Sequence, residues 1–417
     1  MTTDGAAEAG VEVVAEAKTA VTVDFDHHDA QYAVDPYPTF ARLRSACPVA
    51  WTHAHEGFWV LSDYASVYEA TRNHEVFRSH PAVTIPPFPK PRPLIPQETD
   101  APEAQEWRRI LYREFSPDAA RASEPRIYAV THEMIDRFIE AGECDFIGDL
   151  AVPVPARVIL EILGFDEQRW QEFAGWVHTI AHGAAGGEFN ESALEAAVAF
   201  YGEIWGLIEE RRNGGFTGDI VSKLLQAEFE GRPLTDDDVI DYTMLLLFGG
   251  LDTTTAAMGN ALVRMAQEPA IRARLAAEPG LIPAAVEEFV RLYCPAQAQS
   301  RTVAEDTELG GQSVRTGERV LMLWAAANRD PAVFPDPDAV DLDRTENRHL
   351  GFGVGLHRCL GASLARSMFR IMLECVLERL GDYELVDDPD SHRYPDAGTV
   401  YGLDSLPARF RAGPRRA

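Results

Sequence analysis

The segment 235–267 constrains this chain more than any other. Thr235-Asp236-Asp237-Asp238 reads as a capped helix start whose acidic residues complement the helix dipole. The helix then runs through Tyr242-Thr243-Met244-Leu245-Leu246-Leu247-Phe248, apolar on every face, so it has to be buried inside other structure. Helical patterning also covers 36–45, 63–73, 103–114, 126–141, 155–164, 166–181, 192–212, 219–228, 269–277, 282–292 and 360–380. Strand patterns are short and few, at 49–52, 58–61, 314–316, 319–323 and 383–385. Such an excess of helix predicts a mainly α fold with small β-sheets, in one domain over 25–417. Residues 1–24 are rich in Ala, Glu, Val and Thr, with almost no positive charge. They read as a disordered acidic tail and match neither a signal peptide nor an anchor.

The buried helix breaks local rules at one place. Gly249-Gly250-Leu251-Asp252-Thr253 puts two glycines mid-helix, at about 1 kcal/mol each relative to alanine, and adds a carboxylate to a buried surface. A kink that permits close packing would explain the glycines, and a functional site would explain the group together. Two irregular stretches accompany it. Residues 80–97 carry prolines at 81, 86, 87, 89, 91, 93 and 96 and must form a stiff, largely extended loop. Residues 182–191 form a glycine-rich link between two helices.

A second exceptional stretch is Phe352-Gly353-Val354-Gly355-Leu356-His357-Arg358-Cys359-Leu360-Gly361, just before a helix. Its glycines tolerate positive φ and carry no Cβ to obstruct a flat ligand. Free amides and the positive end of the following helix favour a thiolate at Cys359, which suits an axial ligand of heme iron. The five cysteines are scattered and odd in number, as in a reducing cytosol, with the other four as small core residues. A net charge of −28 makes nucleic acid and anionic membrane poor partners. No apolar run approaches the roughly 18 residues that span a bilayer.

The Phe352–Gly361 run resembles the heme-binding signature of the cytochrome P450 superfamily, Phe-x-x-Gly-x-His-x-Cys-x-Gly, at every defined position. The resemblance covers the chain from about Asp35 onward and implies a soluble bacterial-type heme-thiolate monooxygenase. Heme b would lie between the Cys359 loop and the Gly249–Thr255 stretch. By the same resemblance Thr253 would hydrogen-bond the distal oxygen, and Asp252 would gate protons. Phe352, Gly353, His357, Arg301 and Arg108 would contact the cofactor. Ala104 stands where many relatives carry histidine, so water or Trp107 would replace one propionate contact. Glu288 and Arg291 match the family's Glu-x-x-Arg, with Arg344 as third member of a lock that serves folding and heme incorporation.

The family's substrate cavity would be lined here by Leu245, Phe248, Gly249, Ala296, Gln297, Gln299, Thr399 and Val400. That lining suits a terpenoid, steroid, aromatic or macrolide skeleton, hydroxylated with dioxygen. The alternative reading makes the glutamines polar loop residues turned to water. This stretch of chain holds no flavin or iron–sulfur motif, so ferredoxin and its reductase are the implied electron source. Arg109 and Arg113, at i and i+4, would share a helix face and with Arg358, Arg366 and Arg370 form a docking patch. A monomer in the cytoplasm is expected. A peroxide-driven or ring-coupling enzyme, or a heme-thiolate sensor, remain the alternatives.

Overall fold

The computed structural model describes residues 20–90, 92–183 and 190–416. The helix Asp236–Gln267 runs through the middle of the molecule, capped at Thr235 by a reciprocal box with Asp238. Around it pack the helices Pro153–Leu163, Trp170–His182, Glu191–Gly214, Ile282–Tyr293 and Ala362–Arg379. Every helix expected from the sequence is present, although Asp166–Ala181 begins as a short 3-10 turn. One begins much earlier than its pattern predicts. The helix Pro117–Phe138 is capped by Ser116 and has Pro117 in its first turn, where the missing N–H costs nothing. It continues through Pro125, which reads in sequence as a helix breaker. The helix 103–114 ends instead at Leu111.

A five-stranded sheet flanks the helices in the order Val49–Thr52, Phe58–Leu61, Arg319–Leu323, Ala298–Val303, Phe77–Arg78. Only the pairing of Arg319–Leu323 with Phe58–Leu61 is parallel. The strand Ala298–Val303 has no apolar alternation to betray it. It forms because it lies between two partners that take up its backbone groups, which buries Ser300 and Arg301 with it. The strand expected at 314–316 lies two residues earlier, at Gln312–Val314, in a hairpin with Thr307–Leu309.

Two expectations about loops change. The stretch 1–24 is not wholly a free tail: Trp51 N–H donates to Val21 O at 2.9 Å and Val23 N–H to Trp51 O at 2.8 Å, extending the sheet edge. Residues 1–19 lie outside the described residues, as do Pro91 and 184–189 of the link. The Pro-rich stretch is pinned to the core by Ser300 N–H donating to Val83 O at 2.7 Å, with Ile85 and Ile95 buried.

Candidate active site

Cys359 reaches its position through a loop that requires glycine. Gly353 and Gly355 have φ of 63° and 72°, values that strain a residue with a Cβ. The Cys359 N–H donates to Phe352 O at 2.8 Å and closes the turn. Gly361 differs from expectation: its φ is −81° and it precedes the helix Ala362–Arg379. A Cβ there would meet no protein atom within 4 Å, because the residue faces a cavity of about 260 Å³.

Cys359 is exposed only in the sense that it lines this interior cavity. Burial pushes its thiol pKa up, while the Gly361 N–H and the charges of Arg108, Arg366 and Arg358 favour the thiolate. A thiol so placed gives up its proton to solvent when a metal cation coordinates the sulfur. Cys375, by contrast, is buried beside His132 on the far side of the same helix. Burial pushes the thiols of Cys375 and Cys294 up to about 12.

The opposite wall is the long central helix, and its two glycines serve different ends. A Cβ on Gly250 would stand 2.9 Å from Ile159 Cδ1, so this glycine brings the Pro153–Leu163 helix close. A Cβ on Gly249 would meet nothing, because Gly249 faces the cavity. The helix is continuous here, and the Thr253 hydroxyl donates to Gly249 O at 2.8 Å. The hydroxyl is therefore not released from helix bonding as expected. Donating backward, it still offers its oxygen as an acceptor to the cavity it lines. Asp252 accepts from the Tyr394 hydroxyl at 2.8 Å.

Three nitrogen-bearing side chains meet at one rim. Arg301 is 2 % exposed, and among the described residues its guanidinium donates only to Ser300 O, at 2.7 Å. Burial lowers its pKa to about 10 against the opposing charge of Asp100. Arg108 donates to Arg358 O at 2.6 Å and lines the cavity. His357 Nε2 is buried with no hydrogen-bond partner among the described residues. Burial, then the charges of Arg301 and Arg108, bring its pKa down to about 3. Buried donors without acceptors are costly, so this rim is built for anionic groups. Trp107 takes no part: its indole donates to Glu103 at 3.0 Å and stacks on Phe229 at 3.8 Å. A flat cofactor with an apolar body, an acidic edge and a metal that accepts sulfur fits these residues, and heme has each of these features.

A second cavity of about 240 Å³ shares Leu245, Gly249, Thr253, Ala296 and Gln299 with the first. Phe248, Thr399 and Val400 line it as expected. Gln297 does not. It is fully buried, turned neither to the cavity nor to water, and its amide donates to the carbonyls of Tyr293 and Cys294 at 2.9 and 2.8 Å, finishing the preceding helix. His27 and His28 line this cavity without having been singled out in the sequence. They stand beyond the expected tail with no motif around them, so their only signal is spatial.

Glu288 and Arg291 form a buried ion pair at 2.8 Å, and Arg344 reaches Glu288 at 3.1 Å. The expected basic patch is thinner than its arginine count. Arg109 pairs with Glu106, Arg366 with Glu287 and Arg370 with Glu124. Arg366 also lies over the Phe352 ring at 4.1 Å. With the helix ending at Leu111, Arg113 leaves the face that carries Arg109. Arg113 and Arg358 are exposed and, among the described residues, form no ion pair.

A heme-thiolate site of this construction defines a class of oxygen-activating enzymes. The cytochrome P450 family model matches residues 206–395. A steroid C26-monooxygenase of Mycobacterium tuberculosis is 33% identical over 90% of this chain and 96% of its own length. A mycinamicin IV hydroxylase/epoxidase of Micromonospora griseorubida is 34% identical over 84% of this chain and 89% of its own. The crystal structure of CYP109E1 from Bacillus megaterium in complex with testosterone superimposes with a TM-score of 0.83, at 29% identity, covering 91% of this chain and 99% of that one. This chain belongs to the cytochrome P450 family and is a heme-thiolate monooxygenase. Among the described residues no helix is long and apolar enough to cross a membrane.

Proposed function

We propose that this enzyme hydroxylates an apolar polycyclic or macrocyclic substrate, with electrons delivered by a ferredoxin and its reductase. One observation carries the reading: Cys359 and Thr253 line one cavity, and Thr253 also lines the second, largely apolar one. Heme held by Cys359, with Arg108, Arg301 and His357 at its acidic edge, supplies the activation of dioxygen. Thr253 presents its hydroxyl to the reacting oxygen, and Asp252 hands protons on to that side. The substrate rests against Leu245, Phe248, Ala296 and Val400, with Gln299 and Thr399 as polar contacts. Relatives named for a steroid and a macrolide, and a neighbour holding testosterone, support a substrate of that size.

The ferredoxin assignment rests on Arg113 and Arg358, both exposed, with Arg358 next to Cys359 in the chain and Tyr112 exposed beside Arg113. A small basic spot on an acidic protein attracts an acidic carrier locally. The chain acts as a monomer in the cytoplasm on this reading. The test is a panel of steroids, terpenoids, macrolides and aromatics added to the heme-loaded protein. A binder should shift the heme from low to high spin and be hydroxylated with reduced ferredoxin and dioxygen. Turnover with hydrogen peroxide, and none with ferredoxin, would replace this reading with the peroxide-driven one.

A further inference from the structure

Asp252 has to be resupplied with protons, and its neighbours trace a route to solvent. One of its oxygens, Oδ1, takes the Tyr394 hydroxyl at 2.8 Å. The other, Oδ2, is buried and has no hydrogen-bond partner among the described residues. It lies 4.0 Å from His182 Nε2, which is itself buried and, among the described residues, has no hydrogen-bond partner. Two unsatisfied polar groups of complementary type facing each other inside a protein are costly, and a functional role is one reason such a pair is kept. His182 stands four residues after His178 on the helix Trp170–His182, so both face the same way. Their rings are 4.4 Å apart, and Tyr394 packs against both, at 4.6 and 5.4 Å. His178 Nε2 meets Asp404 Oδ1 at 3.3 Å.

Exposure grades along this row. The side chains of His178 and Asp404 are 44% and 48% exposed, and those of His182 and Asp252 are 13% and 11%. Tyr394 is fixed from behind, since a Cβ on Gly402 would stand 2.4 Å from its Cε2. Its N–H also donates to Gly402 O at 3.2 Å.

We propose that His182 relays protons from the surface pair His178–Asp404 to Asp252, with Tyr394 as the residue that positions the carboxylate. The inference rests on the assignment of Asp252 to proton delivery. The 4.0 Å gap is about 1 Å beyond a hydrogen bond, and a turn of the imidazole closes it. In each transfer His178, protonated from water beside Asp404, first passes a proton to His182 Nδ1 and makes that ring an imidazolium. The N–H bond at His182 Nε2 then breaks as an O–H bond forms at Asp252 Oδ2, which leaves the neutral Nδ1–H ring. A ring flip restores the first tautomer; no electrons move.

The charged and titratable groups facing His182 are Asp252, His178, Asp396, Asp404 and Tyr394. Burial lowers its pKa, the three carboxylates oppose that, and His178 adds to it. His182 is therefore neutral at neutral pH and an acidic donor when it does carry the extra proton.

The test uses the heme-loaded full chain with a substrate that gives the spin shift. His182→Gln is expected to lower kcat roughly 10-fold at neutral pH and to raise the solvent deuterium isotope effect. The substrate-induced spin shift should be unchanged. The rise in kcat as pH falls toward the His182 pKa should also vanish. Tyr394→Phe should lower kcat with the same intact spin shift, which provides an arm independent of the histidine. In an Asp252→Asn background, His182→Gln should cost nothing further. A readout without turnover is the imidazole proton resonance of His182 in the diamagnetic carbon monoxide-bound ferrous form. Its pKa should fall in Asp252→Asn, because the carboxylate that raises it is gone. Unchanged kcat and isotope effect in His182→Gln, with Asp252→Asn impaired, would overturn the relay and leave Asp252 in place. An unimpaired Asp252→Asn would instead overturn the assignment on which the relay rests.

Discussion

Arg291→Ala is expected to destabilise the protein by about 3–5 kcal/mol, the cost of breaking a buried ion pair from one side. The figure follows from what the guanidinium does. It is fully buried, and Glu288 is 1% exposed. Nε and Nη2 donate to the two Glu288 oxygens, both at 2.8 Å. Nη1 donates to the carbonyls of Asn328 and Pro337 at 2.9 and 2.7 Å, and Nη2 also to Ala339 O at 3.0 Å. Alanine strands those three loop carbonyls as well as the carboxylate. Glu288 keeps the Asp341 N–H, Arg344 and Asn347, which holds the loss below a fully bare charge.

Arg344→Ala should cost only about 1–2 kcal/mol, because Glu288 retains its closer partner. Arg291→Lys should behave like the alanine variant, since an ammonium cannot fork to both Glu288 oxygens and reach the carbonyls. Burial works to raise the Glu288 carboxyl, but Arg291, the Asp341 N–H and Arg344 hold it below the ordinary range. The stability this gives is present above the unfolded carboxylate value and is lost as pH falls through the lowered folded one. The gap between wild type and Arg291→Ala should therefore narrow in acid. Urea midpoints followed by circular dichroism, at unchanged m, measure all of these. A loss under about 1 kcal/mol for Arg291→Ala, or a fully stable Arg291→Lys, would refute the reasoning.

Thr253→Ala should uncouple turnover: reducing equivalents are still consumed while product per equivalent falls several-fold, and unchanged coupling removes Thr253 from the reaction. Arg113→Glu and Arg358→Glu should slow reduction by an acidic ferredoxin, most at low salt where the Debye length exceeds about 10 Å, without altering substrate affinity. Salt-independent reduction with both reversals silent would move the docking site elsewhere. Burial brings the His27 pKa down to about 3, whereas an unfolded histidine titrates near 6.5. The stability from burying it neutral is complete above pH 6.5 and declines by about 1.4 kcal/mol per unit as pH falls toward 3. His27→Gln should flatten that acid limb, and equal slopes in the two proteins would show that His27 does not cause it.

The amino-acid sequence alone determined those features whose causes are local. The central helix follows from its cap and its apolar faces, and the Cys359 loop follows from glycines that must turn left-handed. Glu288 and Arg291 meet because three residues on a helix is one turn. Likewise, Gly249 and Gly250 marked a site by breaking helix rules, although only packing separates their roles: one faces Ile159 and the other the cavity. What the tertiary structure decided is everything that depends on a distant partner. Ala298–Val303 is a strand because two other strands flank it, and that brings the Arg301 charge to bear on His357. Val21–Val23 is held by Trp51, far along the chain. Tyr394 lies 142 residues from Asp252 and His182 on another helix, so no spacing joins them. Helix caps, turns and ligand loops are fixed by chemistry within a few residues. Burial, ion pairing and proton paths depend on which segments the collapsed core brings together, and that is settled only in three dimensions.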